Sequence, residues 1–178
     1  MTAAGAAVLF HPQLYEVPGA GKPFGATVAS SAFLAALARH GGRPALPVVP
    51  AGGADAAQVA AVLRALGAPD RVQATTPERA GHLHLPNPSI AQAAWERHRR
   101  GSRAWSLTGV THAVASLAAF DALAAMVVAP VMPWDALVCP SQAVRATVET
   151  VLAAERDYLA WRLGVPAAPP QPLLPVIP

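Results

Sequence analysis

The sequence predicts an α/β protein with helices on both faces of a mainly parallel sheet. Two observations carry this. Short apolar runs alternate with stretches of helical period along the whole chain. Glycines, prolines and helix-capping residues fall at the joins between them. Successive parallel strands need a crossover, and a helix is its usual form.

The elements follow in order. Residues 6–10 (AAVLF) read as a short buried strand, and 11–25 (HPQLYEVPGAGKPFG) as a loop whose Gly and Pro content forbids regular structure. A helix follows from Thr27 through Arg39, with Phe33, Leu34 and Leu37 on one face, Ser30 or Thr27 as its cap and Gly41-Gly42 as its stop. Residues 46–49 form a second strand, which Pro47 and Pro50 push towards a sheet edge. Asp55 caps a helix to Leu66, apolar at Val59, Val62, Leu63 and Leu66, and Gly67 ends it. Residues 71–74 are a weak strand. Residues 81–85 (GHLHL) alternate before the turn Pro86-Asn87-Pro88. Ser89 opens a helix over 90–100. Residues 104–110 (AWSLTGV) form a strand that ends in Thr111-His112, where a helix through Met126 begins. Residues 136–139 (ALVC) are a strand, Ser141 caps the longest helix over 142–163, and Gly164 stops it. The remainder, 165–178, is proline-rich around one apolar run, 173–177.

Bulk properties exclude several classes. The chain has 178 residues, 53% of them hydrophobic, which allows a substantial core. A formal charge of +3 is too mild for a nucleic-acid protein. Cys139 is the single cysteine, so a disulfide framework and a cysteine metal cluster are both absent, which fits a reducing compartment. The start carries no secretory pattern. The most apolar stretch, 114–131, contains Asp121 and ends near Pro130, which reads as a core helix rather than a membrane span.

In open parallel sheets ligands sit beyond the carboxyl ends of the strands, so the segments after strands are the candidates. The first is the loop through Gly21, Lys22 and Gly25. Glycines admit close backbone approach, a helix start offers N–H groups, and Lys22 adds charge, a combination that accepts phosphate. The spacing is neither G-x-G-x-x-G nor a P-loop, and a plain flexible loop fits it equally well. The second is His82-Leu83-His84 with Asn87. Alternation puts both histidines on one strand face. The plain reading is a surface pair on an edge strand; the functional one has a histidine reaching a crevice. Nothing else in the sequence completes a metal site around them. The third is Thr111-His112, where a helix dipole would help the histidine donate to an anionic or carbonyl oxygen; on the residues alone a plain structural histidine fits better. Cys139 reads as a small core residue. Arg97-His98-Arg99-Arg100, with Arg103 and Trp95, reads as a solvated helix end that is able to touch an anionic acceptor or a membrane surface. No G-x-S-x-G elbow surrounds Ser30-Ser31.

Several of these segments together resemble the N-terminal half of family-4 retaining glycosyltransferases of the GT-B fold. They are GATVASSAFLAALARHGG after the first loop, SLTGVTHA, PWDALVCPSQAVRATVETVLAAERDYLAWRLG with its D-x-[IL]-[IV]-x-x-S-like segment, and PQPLLPVIP. The resemblance implies a Rossmann-like three-layer α/β/α sandwich over 1–164. Residues 165–178 would be its final strand and the start of an interdomain linker. It implies transfer of a sugar from a nucleotide-sugar donor to a sugar, lipid or small-molecule acceptor, with retention and without a metal or other cofactor. The donor-binding basic pair and E-x(7)-E motif of such enzymes belong to a C-terminal domain, so the chain alone would be inactive. His112 matches the histidine that approaches the donor, and Thr111 lies beside it. His84 and Asn87 match an acceptor-facing segment, and Gly21, Lys22 and Gly25 the diphosphate loop. Position 113 is Ala where the family usually has Thr. The resemblance further implies a cytoplasmic protein, at the inner membrane surface in some settings, that binds no nucleic acid and self-associates through exposed cleft surface. The rivals are a non-catalytic binding module or split-enzyme subunit on the same fold, and a flavodoxin-like or Rossmann nucleotide binder.

Overall fold

A computed structural model describes residues 6–15, 25–112, 114–164, 166 and 169–177. Six strands alternate with helices: β1 (Ala7–Phe10), α1 (Gly25–His40), β2 (Leu46–Pro50), α2 (Ala56–Ala65), β3 (Val72–Ala74), α3 (Pro77–Ala80), β4 (His82–His84), α4 (Ile90–His98), β5 (Ser106–Val110), α5 (Leu117–Val128), β6 (Ala136–Val138) and α6 (Gln142–Leu163). They make one all-parallel sheet of order β3-β2-β1-β4-β5-β6. The expected Rossmann-like α/β class is therefore observed. The chain divides into two compact units, Met1–Pro86 and Asn87–Pro178.

In the first unit, β1 pairs with β2 from Val8↔Val48 to Phe10↔Pro50, and with β4 through Ala7↔Leu83 and Val8↔His84. β2 also pairs with β3, from Leu46↔Val72 to Val48↔Ala74. β2 is thus interior, which corrects the edge expectation. A proline costs a sheet only where its missing N–H would have been used. The amides of Leu46 and Ala51 donate to Arg71 on the β3 side and Phe10 on the β1 side. By alternation Pro50 faces β3 beyond that strand's last paired residue, and Pro47 faces β1 before its first. Both missing donors fall just outside the ladders. Fully buried Val8, Phe10, Leu34, Val48, Val59 and Leu63 form the centre of this unit's core. Removing such side chains from water stabilises by roughly 1.5–3 kcal/mol each. α1 begins at Gly25, two residues earlier than expected, so neither Thr27 nor Ser30 caps it. α2 starts as read: Asp55 accepts from the Gln58 amide at 2.8 Å while the Gln58 side chain accepts from the Asp55 amide, a reciprocal capping box. The four-residue α3 escaped the sequence reading because it holds a single turn.

In the second unit, β5 pairs with β6 from Thr108↔Ala136 to Val110↔Val138. Leu107 and Leu137 on the strands are fully buried, as are Ile90 of α4 and Leu123 of α5, with Met126 of α5 and Leu152 of α6 almost so. α6 runs as read from the sequence: the Ser141 hydroxyl accepts from the Val144 amide, and Gly164 closes the helix in the left-handed region. α4 ends at His98, two residues short of the expected Arg100. Where a final strand was expected, the tail meets β6 through two isolated parallel bridges, Ala136↔Leu173 and Cys139↔Val176. The amides of Leu173 and Ile177 donate to the Asp135 and Cys139 carbonyls. Pro175 lies between them and has no amide to give Leu137. The Cys139 thiol donates to that carbonyl instead, at 3.6 Å. No described helix is long and apolar enough to cross a membrane.

Candidate functional site

In this strand order the chain leaves β1 towards β2 and β4 towards β5, and in open parallel sheets such a reversal marks the strand ends where ligands sit. On the first unit that edge is built tightly. The Phe10 carbonyl accepts from Ala51, and Leu14 donates to His11 across a single 3-10 turn, Pro12–Leu14. His11 Nδ1 accepts from the Gln13 amide at 3.3 Å, which leaves Nε2 as the proton-bearing nitrogen of the neutral ring. The ring tip lies over Gly52 after β2. A Cβ there would overlap it, meeting Cδ2 at 2.6 Å and Cε1 at 2.8 Å, and Gly52 also has φ of +62°. Tyr15 stacks on Phe10, centroids 4.8 Å apart, and its hydroxyl donates to the Leu9 carbonyl at 2.8 Å. Burial holds that phenol protonated far above its ordinary range.

His84 ends β4 and is buried, its ring tilted against Phe33 of α1 with centroids 4.7 Å apart. β4 lies inside the sheet, so the picture of His82 and His84 as a surface pair on an edge strand is corrected. Phe33 is 41% exposed, so this residue of the expected apolar face of α1 covers His84 rather than entering the core. Ser30 Oγ lies 2.9 Å from the Ala26 carbonyl and 3.4 Å from that of Pro86, tying the first turns of α1 to the segment after β4. Gly25 begins α1, and a Cβ there would meet nothing within 4 Å. Its hydrogen is therefore not demanded by any of the described residues. Gly21 and Lys22 lie outside the described residues.

On the second unit the carboxyl end of β5 brings Asn87, Thr111 and His112 into one neighbourhood. The Asn87 side chain accepts from the Ser89 amide at 3.1 Å, and its carbonyl accepts from Val110 at 3.3 Å. Gly109 makes this approach possible: a Cβ would stand 2.8 Å from the Asn87 carbonyl oxygen and 2.6 Å from Ile90 Cγ2. Thr111 is fully buried and donates its amide to Val138. His112 is half-buried, with Nε2 shielded from solvent. The expected strand-to-helix junction at Thr111-His112 is corrected: α5 starts at Leu117 with Ser116 as its cap. The dipole acts only within about a turn of a helix end, so it gives His112 no help. Among the described residues no group of three His, Cys, Asp or Glu side chains is placed to hold a metal ion.

The feature that sequence reasoning missed is a buried ion pair. Arg97 and Asp135 are both fully buried and bonded in a fork, Nη1 to Oδ1 at 2.6 Å and Nη2 to Oδ2 at 2.7 Å. Arg97 also donates to the carbonyls of Trp105 and Pro130, and Asp135 accepts from the amides of Leu107 and Met132. Reading Arg97 as part of a solvated helix end is corrected by this: α4 turns that one arginine inward while its neighbours face water. The pair thus fastens α4, the start of β5 and the turn before β6 to one another.

The strand order and the alternation of strands with helices define a Rossmann-like α/β protein. Comparison with protein-family models, curated proteins and solved structures returned no match.

Proposed function

We propose that the chain is the N-terminal, acceptor-side domain of a retaining glycosyltransferase that moves a sugar from a nucleotide-sugar donor to an acceptor. The observation that carries this reading is the grouping of Asn87, Thr111 and His112 at the carboxyl end of β5, where a parallel sheet of this order presents its ligand-binding groups. In this reading His112 hydrogen-bonds the donor sugar or its phosphate, with Thr111 fixing the backbone beneath it. His84 and Asn87 face the acceptor, and Gly21, Lys22 and Gly25 line the diphosphate. Stabilising charge on the leaving phosphate is the protein's main contribution to such a transfer, and no metal or cofactor takes part. The donor is held chiefly by a second domain, closure against which excludes water. The reading carries a cytoplasmic location with it.

The test has two arms. In the complete two-domain enzyme, His112→Ala lowers kcat by about a hundredfold, as loss of one charge-stabilising donor does, with circular dichroism unchanged; near-normal turnover sinks the role of His112. In calorimetry, this chain alone binds nucleotide sugars no tighter than the millimolar range. Micromolar binding of a nucleotide would favour the second reading, a self-sufficient nucleotide binder, which the strand order also supports. Against that reading, the chain lacks G-x-G-x-x-G after β1, and β2 runs out through Pro50 into Ala51-Gly52 without the carboxylate that holds a ribose in such proteins.

A further inference from the structure

The second unit carries a feature that the transfer chemistry does not use, at the amino ends of β5 and β6. Arg99, Arg100 and Arg103 are exposed there, and so are two indoles, Trp95 at 51% and Trp134 at 40%. The Arg103 guanidinium lies over the Trp134 ring, 5.8 Å from its centroid. Trp95 meets His98 edge to face at 6.0 Å, and His98 Nδ1 lies 3.0 Å from the Ser102 hydroxyl. These groups come from three segments: the end of α4, the turn before β5, and the turn before β6. The Arg97–Asp135 pair joins all three from beneath, through Arg97 on α4, the Trp105 carbonyl and Leu107 amide, and the Met132 amide. The rings and cations above it are therefore held on one fixed support.

We propose that this face docks on an anionic lipid surface. Tryptophan is at its most stable at the boundary between headgroups and acyl chains, where the ring is in an apolar layer and its N–H stays wet. Arginines beside it meet the phosphates, and Glu96 is the exposed acid among them, so three arginines less one glutamate leave +2. A nucleic-acid duplex would satisfy the arginines but leave both indoles in water; a bilayer takes both kinds of group. The face lies at the opposite strand ends from Thr111 and His112, so docking leaves that neighbourhood turned away from the lipid. The inference does not rest on the glycosyltransferase reading.

Co-sedimentation of the chain with vesicles tests it. Vesicles of phosphatidylcholine with one-third phosphatidylglycerol capture the chain at low salt, and pure phosphatidylcholine captures little. Each arginine near such a surface is worth about a fivefold change in partitioning, so R99Q/R103Q weakens capture by roughly 25-fold. W95S/W134S lowers capture as well, and abolishes the blue shift of tryptophan emission that vesicles produce in the parent. All four positions are exposed, so circular dichroism of both variants matches the parent. Equal capture by the two vesicle types, or unchanged capture of both variants, overturns the proposal. So does binding to duplex DNA that is tighter than to vesicles and depends on the same arginines.

Discussion

Replacing Asp135 by alanine probes the deepest polar feature of the molecule. The substitution removes the acceptor of two guanidinium bonds, at 2.6 and 2.7 Å, and of two backbone amides, those of Leu107 and Met132 at 2.9 and 2.8 Å. Arg97 keeps the Trp105 and Pro130 carbonyls, so it is not left bare. It is nonetheless a fully buried cation without a counter-charge. Removing one partner of such a pair costs about 3–5 kcal/mol, and each orphaned buried amide about 1–3 kcal/mol in isolation. The terms overlap because the same relaxation and water entry relieve all of them, so about 4 kcal/mol is the working figure. At roughly 2–4 °C per kcal/mol for a chain of this size, Tm falls by about 8–16 °C.

Urea unfolding followed by circular dichroism measures the loss, and a double-mutant cycle assigns it. Arg97→Met alone leaves Asp135 with its two amide donors and costs about 2–4 kcal/mol. In the double variant no buried charge remains, so its loss falls short of the sum of the singles by about 2 kcal/mol. Additive losses, or a loss under about 1 kcal/mol for Asp135→Ala, would refute the reasoning. Either outcome would mean that water reaches the pair in the folded protein.

Three further outcomes follow from the same structure. Asp55→Ala removes the capping box of α2 and lowers stability by about 1 kcal/mol in the same urea assay; Asp55→Asn, which still accepts from the Gln58 amide, recovers most of it. Burial raises the Cys139 thiol above its ordinary pKa, so the folded state favours the protonated form. Its contribution is fully present below the unfolded thiol's pKa and is lost as pH rises through the folded one; Cys139→Ala therefore flattens the alkaline limb of the stability profile, and an unchanged limb would exclude this cause. Ellman's reagent should label native Cys139 at least about a hundredfold more slowly than the unfolded chain, since access requires opening the tail from β6.

Much of the fold was legible because its signals are local. The Ser141 and Gly164 boundaries of α6 and the Asp55 cap of α2 each depend on backbone groups within one turn, which nearby residues specify. Where the reading went astray, the deciding partner was distant in sequence. Prolines 47 and 50 signal an edge only while the neighbours are unknown; the ends of β1 and β3 decide whether their missing amides matter. The start of α5 was misplaced because the Ala-rich run before it has helical composition, whereas the Ser116 side chain accepting from the Ala119 amide sets the boundary. Arg97 looked solvated because its flanking residues are, and its acceptor is 38 positions away. The candidate site was legible in outline. His84, Asn87, Thr111 and His112 all fall at strand ends, as the alternation predicts, but the shielding of His84 by Phe33 and the absence of a helix start at His112 needed coordinates.

Asp135 shows how motif and chemistry come apart. It opens the D-x-[IL]-[IV]-x-x-S-like segment, the most specific part of the glycosyltransferase resemblance. Its carboxylate closes the Met132–Asp135 turn, anchors the start of β5 and neutralises the cation of α4. Any protein that folds this strand pair over an inward-facing arginine would need an acceptor of this kind in the same place. The segment therefore reports on how β5, β6 and α4 are fastened together, whatever reaction the protein performs. His112 lies beyond the end of β5 and before the Ser116 cap of α5, at the strand end where open parallel sheets place their ligands. The functional claim accordingly depends on His112 and its neighbours, and the motif bears on it only by fixing the scaffold from which they project.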